Sequence, residues 1–244
     1  MINGTIAFGE IPKERNKYVQ LNFFEDDTFG RTCYLGGIKM IKRQNKKILL
    51  LVQLAMLAAL VVVLQLVSAL IPPIAGMVSI TLTLVPVVVG AILLGKKGGA
   101  ILGFTFGAIV LVNCITGLDP GGSILWNTNP LFTAIICFVK GIAAGFIPAL
   151  LYELVHGKKE QTPNGRKYVA ALIAALSAPI VNTGLFVLGM FTLFNGTLQI
   201  WANGAHVIIY VLTGLAGINF VVEFIINIIL TPAIVRIVDI VRKK

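Results

Sequence analysis

Six long apolar runs, separated by short polar connections, form most of the chain. They extend over residues 48–71, 78–94, 98–115, 130–155, 168–194 and roughly 207–235. Each run is close to the ~20 residues that an α-helix needs to cross the hydrocarbon core of a bilayer, at about 1.5 Å rise per residue. The pattern therefore predicts an all-α membrane protein in which six transmembrane helices pack into one bundle.

Lysine and arginine residues occupy alternate connections. They lie before the first run, between the second and third, between the fourth and fifth, and after the sixth, and the other three connections have none. The clusters are Lys42, Arg43, Lys46 and Lys47; Lys96 and Lys97; Lys158, Lys159, Arg166 and Lys167; and Arg236, Arg242, Lys243 and Lys244. Because cationic loops are retained in the cytoplasm, the pattern predicts that both termini are cytoplasmic and that three uncharged or weakly acidic loops lie outside.

The composition is that of a protein surrounded by lipid. Hydrophobic residues make up 57% of the chain and charged residues 12%, and the mean hydropathy is +0.92. The net charge of +10 is concentrated at helix ends and is not interleaved with aromatic residues on one face, so it indicates topology and not nucleic-acid binding. The three cysteines show no CxxC spacing and no nearby histidine cluster, so we expect no metal site, no disulfide and no cofactor.

The first 39 residues differ from the rest because they are polar and lack the apolar segment of a secretory signal peptide. One interpretation is a disordered cytoplasmic tail. The other is translated upstream sequence, because Gly36-Gly37 requires a purine-rich GGN-GGN codon block just before the codon of Met40, where a bacterial ribosome-binding site would lie. We expect translation to start at Met40, with the membrane domain over residues 40–244.

Small residues recur at four-residue spacing in several runs. Ala55 and Ala59 do so in the first run, and the glycines with this spacing are Gly95, Gly99, Gly103 and Gly107 around the third run and Gly141 and Gly145 in the fourth. Such stripes let helices approach closely in lipid. By itself, each stripe is interpreted as an internal packing seam. Pro86 is expected to kink the second helix.

Several segments together carry a family resemblance. They are the Ala55 and Ala59 pair, residues 84–95, residues 99–104, Val-Asn-Thr at 181–183, Glu223, and Thr231-Pro232. In these segments the chain resembles the substrate-binding S component of energy-coupling factor (ECF) vitamin transporters. The resemblance covers all six runs, from about residue 47 to the C-terminus, and leaves the first 39 residues out.

The resemblance implies a multi-pass protein of the bacterial cell membrane that binds one vitamin or vitamin precursor in a cavity opening outward. Such a protein docks on a transmembrane coupling protein that carries two cytoplasmic ATPases, and it topples in the membrane to release its cargo. By position, Ala55 and Ala59 become the docking face for the coupling protein, and residues 72–79 become the outer gate. The chain has no GxxxxGK[ST] segment, so ATP dependence must come from another subunit.

Lys140 and Glu223 lie about midway along the fourth and sixth runs. A charge at that depth costs about 2.5–3.5 kcal/mol on insertion scales, so each should face the bundle interior and have a partner. One interpretation is that the two residues pair with each other and fix the register of the helices. In the other, Lys140 binds an anionic group of the ligand, and Glu223 orients the lysine or accepts from a ligand amide or hydroxyl. The second arrangement suits a vitamin with a carboxylate.

Neutral polar residues complete the candidate binding site. Asn182, Thr183 and Asn219 supply donors and acceptors in the last two runs, and Trp126 and Asn127 lie in the predicted outer loop before the fourth run. Each has a structural alternative, because amides in membranes usually bond neighbouring helices and interfacial tryptophans are mostly anchors. In the functional interpretation these residues contact the ligand, and Trp126 closes over a ring.

Two other functions compete with vitamin binding. An intramembrane enzyme would need a nucleophile and base or clustered metal ligands, and without a GxSxG or HExxH segment we assign no catalytic residue. A stand-alone secondary transporter of a small organic anion would use the midplane acid and lysine as a proton relay, but no internal repeat relates the two halves of the chain. Lys140 and the resemblance both favour pantothenate, with folate-type compounds, riboflavin and hydroxymethylpyrimidine as alternatives.

Overall fold

The computed structural model of the protein describes residues 37–70, 83–157, 164–204, 206–211 and 217–242. The elements in these ranges are helices, and the described residues contain no strand, which confirms the predicted all-α class. The helices are α1 (Gly37–Leu70), α2 (Leu84–Thr116), α3 (Pro120–Thr128), α4 (Pro130–His156), α5 (Asn164–Leu193), α6 (Asn195–Ala202), α7 (Val207–Tyr210) and α8 (Gly217–Arg242). Five of them, α1, α2, α4, α5 and α8, are long and apolar enough to cross a membrane.

The second and third predicted runs form one helical element, α2, which breaks at Gly95. Gly95 has φ 71° and ψ −167°, a backbone conformation that glycine adopts without a steric penalty. Leu102 packs against Gly90, so the arm before the break (84–94) lies beside the arm after it (96–116). Pro86 does not kink the helix as predicted. It lies in the first turn of α2. A backbone N–H at that position would have no carbonyl partner within the helix, so proline, which lacks the N–H, fits without breaking a hydrogen bond.

The sixth predicted run is also divided differently in the structure. Its beginning forms the short helix α7, and the apolar segment of α8 extends over Phe220–Ile240, later in the chain than the predicted 207–235. Val207, Tyr210 and Val211 pack into a hydrophobic cluster with Phe194 and other residues of the bundle. Their hydrophobic character therefore reflects packing against protein, which hydropathy alone cannot distinguish from contact with lipid.

A glycine seam joins α2 to α4. Gly99 and Gly103 on α2 face Gly145 and Gly141 on α4, and Gly107 faces the backbone of Cys137. A Cβ atom on any of these glycines would overlap a carbonyl oxygen of the opposite helix, so the two backbones are in direct contact. This confirms the predicted intramolecular seam. Gly95, which shares the four-residue spacing, lies at the break in α2 and not in the seam.

One face of α1 packs against the rest of the bundle. Val61 is fully buried, Leu54, Leu57 and Ala58 pack beside it, and Gln65 accepts a hydrogen bond of 2.8 Å from the hydroxyl of Thr83. The opposite face is exposed, with large apolar side chains along most of its length. For a helix in lipid, such a face contacts either acyl chains or another membrane protein.

Charged side chains meet at the end of the bundle where α4 terminates, here called the His156 end. Lys96, beside the break in α2, forms an ion pair of 2.9 Å with Glu153 on α4. Lys167 on α5 pairs with Asp239 on α8 at 3.7 Å. Arg166 donates a hydrogen bond of 2.7 Å to the carbonyl oxygen of Val155. The folded chain thus brings three of the predicted cationic connections to one end of the bundle. The opposite end, where α4 begins, is called the Pro130 end.

Candidate functional site

Lys140 projects from α4 about ten residues after the helix begins at Pro130, which is roughly 15 Å along the helix. Its side chain is half-buried, and its ammonium Nζ lies 5.0 Å from the centroid of the Phe186 ring on α5. The face of an aromatic ring attracts a cation at this distance by about 0.5–2 kcal/mol, depending on desolvation. The ring accepts no conventional hydrogen bond, so the ammonium group keeps donors for an anion.

Asn182 lies one helical turn from Phe186 on the same face of α5. Its side chain is buried, and its amide oxygen has no hydrogen-bond partner in the described part of the chain. Contact between Gly189 and Ile136 sets the register of α5 against α4. In this register Asn182 lies about one helical turn further from the Pro130 end than Lys140 does. A buried amide oxygen without a partner is costly, so this oxygen is a candidate acceptor for a ligand or water.

Glu223 belongs to a polar stripe on the buried face of α8. Asn227 donates its side-chain amide to the carbonyl of Glu223 at 2.8 Å, and Thr231 donates its hydroxyl to the carbonyl of Asn227 at 2.7 Å. All three side chains are buried. The predicted alternative in which Lys140 and Glu223 pair with each other is not observed among the described residues, where the ammonium lies over the ring of Phe186.

Asp119 lies between α2 and α3, beyond the last residue of the apolar helix, and sequence reasoning had not assigned it a role. Its backbone N–H donates to the carbonyl of Asn113 at 3.2 Å. The N–H groups of Gly121 and Gly122 favour the ionised carboxylate, although neither forms a capping hydrogen bond of full geometry. Burial raises the pKa of the Asp119 carboxyl above its ordinary range, and the two amides and the positive charge of Lys140 oppose that rise.

The carboxylate of Asp119 lies close to a thiol of α2. Gly122 in the first turn of α3 lies against both the Sγ atom of Cys114 and the carboxylate of Asp119. The α2–α3 connection thus places this carboxylate beside the last turn of α2, and Lys140 contributes a positive charge from a greater distance.

The other predicted site residues lie in several different surroundings. Thr183 is half-buried beside Asn182, and Trp126 packs against the main hydrophobic core. Asn127 is exposed on α3. Asn219 belongs to α8, but its side chain lies outside the described part of the protein, as do the predicted gate of residues 72–79 and most of the N-terminal 39 residues.

Ala55 and Ala59 are exposed on α1. They lie on the face opposite Val61, which is the face that α1 presents to the bundle. The alanine pair is therefore not an internal seam of this fold, in contrast to the glycines that join α2 and α4. A small-residue stripe on an exposed helix face is available for close contact with a helix of another protein.

Sequence reasoning singled out neither Phe186 nor Asp119, and only one of them left a signal in the sequence. Asp119 is the single acidic residue in the three connections that lack lysine and arginine, which could have marked it. Phe186 is one of 14 phenylalanines in the chain, and nothing in its local sequence indicates that a lysine lies over its ring. Among the described residues, no group of histidine, cysteine and acidic side chains could hold a metal ion.

These features define a multi-pass helical membrane protein with a half-buried lysine inside one of its long apolar helices. The sequence model of the ECF transporter substrate-specific component family matches residues 49–235, and the chain belongs to this family. The family consists of transport proteins and not enzymes, and its members bind a vitamin and act with an ECF module. The predicted family resemblance is confirmed.

A relative of stated substrate supports the same assignment. The chain is 28% identical over 163 residues to the protein named pantothenic acid transporter PanT of Lactococcus lactis subsp. cremoris (strain MG1363). The alignment covers 64% of this chain and 75% of the relative.

Proposed function

We propose that this protein is the high-affinity binding subunit of an ECF-type importer and that its vitamin is pantothenate. The observation that carries the proposal is the position of Lys140, a half-buried cation at mid-depth that lies over the ring of Phe186. Pantothenate has a carboxylate at one end, so the ammonium of Lys140 would bind that group by a charge-assisted hydrogen bond. The name of the relative, a pantothenic acid transporter, supports the same substrate.

The remaining polar groups suit the rest of such a ligand. Pantothenate also has an amide and two hydroxyls, which need acceptors and donors in the cavity. The amide oxygen of Asn182 has no partner among the described residues and would accept from the ligand, with Thr183 beside it. Glu223, Asn219 and Trp126 are proposed to complete the cavity, as the sequence predicted.

We further propose six spans with both termini in the cytoplasm of a bacterial cell, which makes the His156 end the cytoplasmic end. The break at Gly95 supports this number, because the two arms of α2 lie side by side and each then counts as one crossing. The grouping of Lys96, Arg166 and Lys167 at the His156 end supports the orientation. The ligand then enters from the Pro130 end.

The proposed partners are a transmembrane coupling protein and two cytoplasmic ATPases. The exposed stripe of Ala55 and Ala59 is proposed as the docking face, because small side chains let a partner helix approach the α1 backbone. Packing contact of this kind is the main attraction available between helices in lipid, where the hydrophobic effect is absent.

Two measurements test the proposed function. Mass spectrometry of small molecules that co-purify with the detergent-solubilised protein should find pantothenate, and finding riboflavin, a folate or hydroxymethylpyrimidine in its place would reject that substrate. Uptake of labelled pantothenate should require co-expressed ATPase subunits and should persist for some minutes after an uncoupler is added while ATP remains. Uptake by this chain alone that stops with the uncoupler would identify the alternative, a secondary transporter of a small organic anion.

A further inference from the structure

A second buried amide oxygen lies on α8, one turn after Glu223. Asn227 is 1% exposed, and its side-chain amide group donates a hydrogen bond of 2.8 Å to the carbonyl oxygen of Glu223. That bond ties the nitrogen of the amide to its own helix, whereas the amide oxygen Oδ1 has no hydrogen-bond partner in the described part of the chain. A buried acceptor without a partner is costly, so this oxygen calls for a donor that the described residues do not supply.

Asn227 faces the same part of the bundle interior as Asn182. The helices α5 and α8 are antiparallel, because the start of α5 and the end of α8 meet in an ion pair at the His156 end. Beside that ion pair, Ala171 and Val238 line one small cavity. Asn182 lies about three helical turns beyond Ala171, and Asn227 lies about three turns before Val238. The two oxygens without partners therefore come from facing sides of α5 and α8 at about the same depth.

We propose that Asn227 is a further ligand-binding residue, whose Oδ1 atom accepts a hydrogen bond from the terminal hydroxyl of pantothenate. This inference rests on the proposed function, because it takes Lys140 as the partner of the ligand carboxylate. Helix α5, with Asn182, packs against both α4 and α8. A ligand that starts at Lys140 on α4 thus meets Asn182 first and Asn227 last. The terminal hydroxyl is the end of pantothenate opposite the carboxylate, so its partner is Asn227.

Such an acceptor gives the site specificity for a hydroxyl at that end of the ligand. A ligand with the hydroxyl satisfies the oxygen of Asn227, whereas a ligand without it leaves that oxygen buried and unpaired. A buried water molecule could also satisfy the oxygen. A water would not make the affinity depend on the hydroxyl of the ligand, and this difference is measurable.

The test is calorimetric titration of the purified full chain with pantothenate and with an analogue in which hydrogen replaces the terminal hydroxyl. The wild type should bind pantothenate about tenfold more tightly than the analogue, the scale of one buried hydrogen bond. Asn227→Leu removes the amide and keeps nearly the same volume. It should bind pantothenate about tenfold less tightly than the wild type does and the analogue no less tightly, so that the preference for the hydroxyl is lost.

The controls separate ligand binding from support of the fold. Thr231→Val, one turn further along the same buried face, removes a hydroxyl that bonds to the backbone of α8, and it should keep the wild-type preference. Melting temperatures without ligand show which variants are folded, and Asn227→Ala replaces Asn227→Leu if the leucine variant does not fold.

Three results would overturn the inference while the proposed function stands. They are a wild type that binds both ligands equally, an Asn227 variant that keeps the preference for the hydroxyl, and an Asn227 variant that loses affinity equally for both ligands. If the wild type does not bind pantothenate, the proposed function and this inference both fail.

Discussion

The ammonium of Lys140 lies over the ring of Phe186, 5.0 Å from its centroid, and thereby links α4 to α5 at half the depth of the bundle. A lysine held by an aromatic ring is oriented without being neutralised. This contact offsets part of the cost of a charge at that depth, which is about 2.5–3.5 kcal/mol on insertion scales. In the proposed function, this charge binds the carboxylate of the ligand.

Bulky side chains on the exposed alanine stripe should block transport without affecting ligand binding. Ala55→Trp and Ala59→Trp place indole rings where a partner helix must approach, whereas the ligand site lies on other helices. We expect uptake in cells with the ECF module to fall to background, while calorimetry on the isolated protein gives unchanged affinity. Leu60→Trp, exposed on α1 but off the stripe, is the matched control and should transport normally. Loss of ligand binding in the alanine variants would mean that the stripe supports the fold.

The glycine seam should tolerate no side chain. In Gly103→Ala the new methyl group would overlap the carbonyl of Gly141, so α2 and α4 must separate. We expect a loss of several degrees in melting temperature in detergent, in line with the 1–3 kcal/mol typical of overpacking. Gly165→Ala is the control, because nothing lies within 4 Å of a Cβ atom there. Equal melting temperatures for the two variants would show that the helices are not in backbone contact.

The stability of the empty protein should depend on pH through Asp119. Because burial raises the folded-state pKa of this carboxyl, the stabilisation is present at pH below its unfolded value of about 4 and is lost as the pH rises through the folded-state pKa. The melting temperature should therefore fall as the pH increases above about 5. Asp119→Asn should melt higher than the wild type at neutral pH and show a flatter profile. A profile unchanged by this substitution would place the titrating group elsewhere.

The proposed orientation can be tested with single cysteines in a background that lacks Cys33, Cys114 and Cys137. Lys97→Cys lies at the His156 end, and Gly196→Cys lies on α6 in a position with open space around its Cβ atom. An impermeant thiol reagent should label Gly196→Cys in intact cells and Lys97→Cys only after lysis. The reverse pattern would invert the topology.

The sequence was sufficient to predict the class of fold, because runs of about 20 apolar residues have few alternatives. It also predicted the Gly103 and Gly141 seam, since four-residue glycine spacing reflects helix geometry directly. The break at Gly95 and the first-turn position of Pro86 were not predicted, because both depend on where α2 begins and folds back. Hydropathy is averaged over many residues and does not locate such points.

The candidate site was predicted only in part. Lys140 could be singled out, since a charge inside an apolar run is conspicuous. Its neighbour Phe186 could not, because it lies far from Lys140 in sequence and is brought close by the packing of α5 against α4. The sequence offered pairing with Glu223 as one of two interpretations, from depth alone, and depth does not specify which side of a helix faces which neighbour.

The most direct test of the central claim is a calorimetric comparison of two ligands on the wild type, Lys140→Ala and Lys140→Arg. Pantothenol, in which a hydroxymethyl group replaces the carboxylate, is the uncharged match for pantothenate. The wild type should prefer pantothenate, and Lys140→Ala should lose about 2–4 kcal/mol of pantothenate affinity with little change for pantothenol, while Lys140→Arg retains most of the preference. Melting temperatures measured alongside show whether each variant is folded. If folded Lys140→Ala binds pantothenate as well as the wild type does, the lysine belongs to the scaffold and does not recognise the carboxylate.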